Sequence, residues 1–283
     1  MTTTNTPKIS IIIPTIDGDR DGMLPNLLEQ IKEQTYKNCE VILKVGDNRQ
    51  GRAINNGAKE ATGKYIVIMD DDIILGDSDV LEKLVHVAEE DKAIGMAGAS
   101  LAVWDKANWI QKRVMLEIPR YTSPIVETVT ESDFVCHGCC ILPKEVFFEV
   151  GAEREEIIRG LDPDLRVRLR NAGYKIVLVP NMHFYHLPPK TFGKIIRKFF
   201  RNGMGSSYIQ LFYPQYLYET DSGRGDFIVK RKFLYRILRY PLRVLDHLLH
   251  FRFVAFCTSL SYLFGFIYGY ITYGIKGNPD TTR

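Results

Sequence analysis

The sequence predicts an α/β fold with a parallel, doubly wound sheet, followed by amphipathic helices and a transmembrane helix. Three observations support this prediction. In the first two thirds of the 283-residue chain, short apolar runs alternate with segments of helical periodicity. One apolar run, Tyr65–Met69, ends directly in three acids, Asp70, Asp71 and Asp72. Near the C-terminus, residues 253–275 carry no formal charge and are rich in Phe, Leu, Ile and Tyr.

The predicted strands and helices alternate up to residue 99. Strands are expected at Ile9–Ile13, Val41–Leu43, Tyr65–Met69 and Ile94–Ala99. Helices are expected at Leu24–Ile31, Ala53–Ala61 and Val80–Ala88. Such alternation is typical of parallel strands joined by helical crossovers, so the acids after the third strand are expected at the carboxyl edge of the sheet.

The pattern is less regular beyond residue 100, and residues 104–124 follow neither period. Further elements are predicted as a strand at Phe134–Leu142, helices at Lys144–Val150 and Leu161–Ala172, and a strand at Tyr174–Val179 that ends at Pro180. Cys136 and Cys139 form a C-x-x-C, but no second pair completes a zinc site. The five cysteines are therefore interpreted as small apolar residues.

Charge is distributed unevenly along the chain. Residues 1–189 carry 22 Lys and Arg against 29 Asp and Glu, whereas residues 190–252 carry 13 against 4. Residues 192–201 predict a basic amphipathic helix, and residues 233–251 repeat the pattern around Pro241, which is expected to break the helix. Packing on its own domain and contact with an anionic membrane are both open for the first helix, and the membrane is favoured for the second. No nucleic-acid partner is expected, because an apolar segment follows the basic one.

That apolar segment, residues 253–275, is long enough to span a bilayer and is flanked by Arg252 and Lys276. A helix lying on the membrane and a buried helix of a soluble domain are the alternatives, since Ser and Thr interrupt the apolar run. Because Met1–Lys8 is polar, no signal peptide is expected. The protein is therefore expected at the cell membrane, with its large N-terminal domain in the cytoplasm.

Three of the predicted strands end in polar residues, at Pro14-Thr15-Ile16-Asp17, at Gly46-Asp47-Asn48 and at Asp70-Asp71-Asp72. In a parallel sheet these ends lie along one edge, where α/β proteins bind ligands. Three adjacent acids repel one another, so a positive charge is expected beside them. A divalent cation carrying phosphate is favoured over the alternative of a solvated turn.

In order and spacing, these motifs resemble the family 2 glycosyltransferases of the GT-A fold, from Lys8 to His186. The resemblance is carried by Ile11-Ile12-Ile13-Pro14-Thr15, Gln34-Thr35-Tyr36, Glu40-Val41-Ile42, Asn56-Gly57-Ala58, Gly63-Lys64-Tyr65-Ile66, the D-x-D of Asp70 and Asp72, and Leu161-Asp162-Pro163-Asp164-Leu165 before Asn171-Ala172-Gly173-Tyr174. It implies a GT-A, Rossmann-like nucleotide-diphospho-sugar transferase domain at residues 1–190. A basic amphipathic membrane-interface segment at 191–252, a transmembrane helix at 253–275 and a short polar tail at 276–283 are expected to follow.

The resemblance also implies roles for individual residues. Nucleotide-sugar contacts are expected from Pro14, Thr15, Asp17, Asp47, Asp70 and Asp71. Asp72 and His186 are expected to hold Mn²⁺ or Mg²⁺, with His183 as the competitor of His186. Asp162 matches the catalytic base, and Asp164 is the alternative. Leu161 stands where the family has Glu, which removes a negative charge that would raise the pKa of Asp162.

The function implied is a metal-dependent inverting glycosyltransferase at the cytoplasmic face of the membrane. Its donor would be a nucleotide-diphosphate sugar, and its acceptor a lipid-linked molecule or a glycan. The divalent cation would offset the diphosphate charge, and Asp162 would deprotonate the acceptor hydroxyl. The alternative is a non-catalytic, GT-A-like, membrane-bound partner of another glycosyltransferase, which Leu161 favours and the retained acids oppose.

Overall fold

The computed structural model describes residues 6–218, 225, 227 and 233–278. Parts of the predicted segment 191–252 and most of the predicted polar tail 276–283 therefore lie outside the described residues. In chain order the elements are β1 (Ile9–Thr15), α1 (Met23–Glu33), β2 (Cys39–Val45), α2 (Gln50–Glu60), β3 (Tyr65–Met69), β4 (Ile73–Leu75), α3 (Val80–Glu90), β5 (Ile94–Leu101), α4 (Trp109–Glu117), β6 (Thr130–Glu131), β7 (Cys139–Pro143), α5 (Lys144–Glu149), α6 (Leu161–Asn171), β8 (Lys175–His186), α7 (Phe192–Phe212), a 3₁₀ turn (Pro214–Tyr216), α8 (Phe233–Leu249) and α9 (Phe253–Lys276). Every strand and helix predicted before residue 99 is present.

The sheet is mixed, with strand order β2-β1-β3-β7-β5-β8-β4 and β6 paired to β8. β1 is parallel to β2 and β3, and β5 is parallel to β8, as predicted. The prediction of an all-parallel sheet is wrong: β7 runs antiparallel to both β3 and β5, and the short strands β4 and β6 run antiparallel to β8. β7 is reached through a long connection after α4 instead of a single helical crossover, so its direction is not constrained to be parallel.

Helices cover both faces of the sheet, which explains why its strands are continuous apolar runs. On one face, Ile11 of β1 belongs to a core with Leu27 of α1 and Leu84 of α3. On the other face, Ile12 belongs to a core with Ile54 of α2 and residues of α5 and α6. This burial holds the carboxyl ends of β1, β2 and β3 at one edge.

The strand predicted to end at Pro180 continues to His186. Between β5 and β8 the register shifts from the pair Gly98–Leu178 to the pair Ser100–His183. Pro180 falls within that shift, where the ladder requires no N–H from it. The strand therefore survives the proline, and its last residues pair with β4.

Two further predictions need correction in the middle of the chain. The strand predicted at Phe134–Leu142 begins only at Cys139, because Arg166 binds the carbonyl of Val135 and holds the preceding residues in an irregular path. Residues 104–124, for which the sequence predicts no helix or strand, contain α4. The side chain of Asn108 accepts a hydrogen bond from the N–H of Gln111 in a capping box that starts this helix.

The C-terminal helices pack on the α/β domain and on each other. α7 and α9 run parallel, as shown by the ring contacts Phe192–Phe253, Phe200–Tyr268 and Tyr208–Tyr273. α9 is long and apolar enough to cross a membrane by length and composition, and about a third of its apolar window is buried in the protein. α8 is continuous through Pro241, so the predicted break is absent. Tyr240, directly before this proline, donates a hydrogen bond to the Ser259 carbonyl of α9.

Gly265 lies at a close approach of the backbones of α9 and α7. A Cβ at this position would lie 2.0 Å from the Phe200 carbonyl oxygen, whereas a Cβ at Gly274 in the same helix would meet open space. We expect Gly265→Ala to lower the free energy of unfolding by about 1–3 kcal/mol through overpacking. Gly274→Ala is expected to be neutral or to stabilise by up to about 1 kcal/mol, because alanine favours the helix. Thermal unfolding followed by circular dichroism measures both, and equal melting temperatures for the two variants would contradict this packing.

Candidate functional site

The carboxyl ends of β1, β2 and β3 form the floor of the site. In the register of the parallel pair, Thr15 lies beside Val45, so the loops after β1 and β2 start side by side. Gln50, at the start of α2, donates from its side-chain amide to Asp70 Oδ1 at 2.9 Å. The loop after β2 is thereby tied to the acidic segment after β3, as the sequence predicts for a shared sheet edge.

Asp70, Asp72 and His186 each offer one ligand atom, and these atoms all lie within 4.8 Å of one another. His186 Nε2 is 3.1 Å from Asp72 Oδ1, because β4 begins beside Asp72 and pairs with the end of β8. His183 lies elsewhere, with its Nε2 2.9 Å from the Tyr185 hydroxyl. Two carboxylate oxygens and one imidazole nitrogen fit a divalent cation such as Mn²⁺ or Mg²⁺.

Arg20 supplies a positive charge that sequence reasoning missed. Its Nη2 donates to Asp72 Oδ2 at 2.7 Å, and its Nε is 3.4 Å from Asp71 Oδ1. The loop that carries it is shaped by Asp17, whose Oδ1 accepts the N–H groups of Asp19 and Arg20. Arg20 lies some fifty residues before the acids and follows no motif, so only the folded chain shows the pairing.

The three acids differ in their electrostatic surroundings. Burial raises the pKa of Asp70 to about 6. Burial alone would raise the pKa of Asp72 as well. The charges of His186 and Arg20 outweigh burial and hold the pKa of that carboxyl well below its usual range. Burial lowers the pKa of His186, yet Asp72 raises it more, so the net direction is upward. The carboxyl of Asp72 is thus kept ionised at neutral pH.

The remaining predicted donor contacts line the same edge. Asp47 accepts two hydrogen bonds from Arg52, both at 2.7 Å, and Arg52 lowers its pKa. Thr15 is buried, and its hydroxyl accepts the N–H of Gly18 at 3.2 Å. Pro14 is half-buried opposite Lys44 of β2. The structure brings these residues to the predicted edge, and their contacts with a donor stay predictions.

Asp162 and Asp164 have different environments. Asp162 starts α6, its side chain is one third exposed, and its Oδ1 accepts the backbone N–H of His137 at 2.6 Å. The Asp164 side chain is fully buried and ion-paired to Arg154 at 3.2 Å and Arg168 at 2.8 Å. Of the two acids, only Asp162 can therefore reach a substrate hydroxyl.

His137 and Glu153 form a buried pair behind Asp162. His137 Nε2 is 3.0 Å from Glu153 Oε1, and its Nδ1 is 3.4 Å from Asp162 Oδ1. The sequence alone predicts no role for His137 or Glu153. Burial raises the pKa of the Cys136 thiol to about 12, in line with the interpretation of the cysteines as apolar residues.

Comparison with known proteins also relates this chain to the family 2 glycosyltransferases. Residues 12–151 match the family model described as glycosyl transferase family 2. The O-antigen biosynthesis protein RfbC of Myxococcus xanthus is 24% identical over 224 residues, which are 64% of this chain and 17% of that protein. The O-antigen chain rhamnosyltransferase RfbN of Salmonella typhimurium is 22% identical over 231 residues, which are 70% of this chain and 72% of that protein.

Among solved structures, the mannosyltransferase PcManGT from Pyrobaculum calidifontis, in complex with GDP-Man and Mn²⁺, aligns with a TM-score of 0.50. It is 15% identical, and the alignment covers 99% of this chain and 78% of that one. This likeness confirms the predicted GT-A fold. Asp162 and His186 lie beyond the residues that the family model matches, so their assignment depends on the geometry described above.

The environments of the two acids of α6 predict different effects on stability. Asp164→Asn would remove the buried carboxylate that pairs with Arg154 and Arg168. The loss of this counter-charge is expected to lower the free energy of unfolding by about 3 kcal/mol. Asp162→Asn is expected to cost less, because the amide oxygen can still accept the N–H of His137 at a partly exposed position. Chemical denaturation of both variants measures the difference, and an Asp164→Asn protein as stable as the wild type would contradict the structural role of this acid.

Proposed function

Because the chain belongs to the family 2 glycosyltransferases, we propose that it is an inverting transferase that uses a nucleotide-diphosphate sugar. The carrying observation is the cluster of Asp70, Asp72 and His186 at the carboxyl edge of the sheet, with Asp162 open to solvent and close enough for its charge to act on Asp70. A cation-binding group and an ionised base at one edge suit glycosyl transfer from a diphosphate, because one stabilises the leaving group and the other accepts the acceptor proton.

Asp70, Asp72 and His186 would hold a divalent cation, and their mixed oxygen and nitrogen donors support this proposal. When bound, the cation supplies positive charge that offsets the charge of the leaving diphosphate. Arg20 already contacts Asp71 and Asp72, so its guanidinium lies where a phosphate oxygen could be bound bidentately.

Asp162 is proposed as the base. Its carboxylate accepts the proton of the acceptor hydroxyl while that oxygen forms a bond to the anomeric carbon. The bond from the anomeric carbon to the diphosphate oxygen breaks in the same step, and the diphosphate leaves with the electron pair. A single in-line displacement inverts the anomeric centre, and no sugar–enzyme bond forms.

The acceptor is proposed to be lipid-linked or a growing glycan at the cytoplasmic face of the cell membrane. The names of the two O-antigen relatives support a surface glycan. The exposed surface of α8 supports the membrane. Two of its polar residues point inward, since Tyr240 donates to the Ser259 carbonyl of α9 and His247 is buried, whereas Arg239, Arg243 and Asp246 are exposed. Exposed beside these charges is a row of apolar residues, namely Leu234, Ile237, Leu238, Leu242, Leu245, Leu248 and Leu249.

Such a row of exposed apolar side chains is unfavourable in water and favourable against lipid. Basic residues dominate residues 190–252, so attraction to anionic headgroups adds to the apolar contact. We therefore propose that α8 lies in the membrane surface with its leucines inserted.

Donor binding and turnover test the transferase. With Mn²⁺, one member of a panel of nucleotide-sugars is expected to bind, and chelator or Asp72→Ala is expected to abolish that binding. Asp162→Ala is expected to keep donor binding and to lower kcat about 10²–10⁴-fold. Asp77→Asn, an exposed acid outside the cluster, is the matched control and should behave as wild type. If no donor binds, the transferase proposal is wrong, and the alternative of a non-catalytic partner of another glycosyltransferase is favoured.

Vesicle flotation tests the membrane surface. Leu238 and Leu242 are each 66% exposed, and Leu238→Glu/Leu242→Glu is expected to abolish binding to vesicles that contain phosphatidylglycerol. Ile125→Glu/Val129→Glu adds the same charge at exposed apolar residues of the α/β domain and is expected to retain binding. Equal loss in both double variants would show that only net charge matters and would contradict insertion of α8.

A further inference from the structure

We propose that His137 and Glu153 are positioning residues for Asp162. The buried imidazole of His137 holds the Asp162 carboxylate in its orientation and places a positive charge beside it. This inference rests on the transferase function proposed above and adds two residues to it. Neither residue lies next to Asp162 in sequence, and neither is part of the cation cluster.

The three side chains form a row that leads from the interior to the site. His137 contacts Oδ1 of Asp162 twice, through its backbone N–H at 2.6 Å and through Nδ1 at 3.4 Å. On the other side of the ring, Nε2 faces Glu153 Oε1 at 3.0 Å. The side chains of His137 and Glu153 are 3% and 0% exposed, whereas that of Asp162 is 33% exposed. Only the last member of the row can meet a substrate.

Glu153 has a buried carboxylate that is explained by the imidazole beside it. Neither of its oxygens makes a hydrogen bond within the described part of the chain. Its backbone is held in place by Asn55, which accepts its N–H at 2.8 Å and donates to its carbonyl at 2.9 Å. A carboxylate buried in this way is strongly destabilising unless a cation faces it, and His137 is the cationic group at contact distance.

The charges of the row are consistent with an imidazolium. Burial lowers the pKa of His137, but the facing charges of Asp162, Glu153 and Asp70 outweigh it and raise the pKa to about 9. For Asp162, burial acts upward and the charges of His137 and Arg166 act downward, with a net lowering of its pKa. His137 is thus already protonated at neutral pH, so the acceptor proton goes to Asp162, and His137 only orients and stabilises that carboxylate.

Leu161, the residue before Asp162, does not position the Asp162 carboxylate, so residues from other segments do so. Its side chain is buried in an apolar cluster with Ile157, Tyr208 and Ile209, so the residue before the base contributes packing and no charge. The segment that carries His137 is fixed instead by Arg166, which donates to Asp133 at 2.6 Å and binds the Val135 carbonyl.

The test combines a titration of His137 with kinetics. In wild-type protein without donor, ¹⁵N NMR of the histidines is expected to show His137 as an imidazolium at pH 7. Glu153→Gln is expected to lower its pKa by about 1–3 pH units, because a facing negative charge is removed. A neutral His137 at pH 7 in the wild type would overturn the proposal, and this readout does not depend on activity.

For turnover, His137→Gln is expected to lower kcat about 10- to 100-fold with unchanged donor affinity. The acid limb of its kcat–pH profile should move to higher pH, because loss of the cation raises the pKa of Asp162. His183→Gln, a partly buried histidine outside the row, is the matched control with wild-type kinetics. A folded His137→Gln enzyme with wild-type kcat and pH profile would refute the positioning role. If the wild type transfers no sugar, the proposed function fails, and the titration alone decides whether the charged row exists.

Discussion

The site depends on the compensation of carboxylates that the sheet forces together. Asp70, Asp71 and Asp72 follow a buried strand, and Asp162 adds a fourth acid at the same edge. Their repulsion is offset by basic side chains from distant parts of the chain: Arg20 from the loop after β1, His186 from the end of β8, and His137 from the segment before β7. The loop after β1, the end of β8 and the segment before β7 are thereby tied to the acids by their basic side chains.

This compensation divides the acids by task. Asp72 is held ionised by Arg20 and His186 on either side of it, which suits a ligand for a positively charged group. Asp162 is held ionised by one buried imidazolium and remains partly exposed, which suits a base. Asp164 is neutralised within the interior by two arginines and serves the fold. The three acids are chemically alike, and only their partners and exposure separate them.

The helices after the α/β domain are connected to Asp162 through the residue before it. Leu161 immediately precedes Asp162 and packs with Tyr208 and Ile209 of α7. α7 in turn packs along α9 through the close contact of Gly203 and Gly265 with the facing backbone. Asp162, the proposed base, therefore follows a residue that is anchored in the same set of helices as α9.

The amino-acid sequence by itself determined the alternation of strands and helices up to residue 99, the acids at the sheet edge and the family resemblance, because periodicity and strand-end motifs are local. Tertiary structure alone decided the direction of β7, the path of β8 past Pro180, the separation of His186 from His183, and the pairing of Arg20, His137 and Glu153 with the acids. These depend on strand register and on contacts between segments far apart in the chain, and local pattern carries no signal for either.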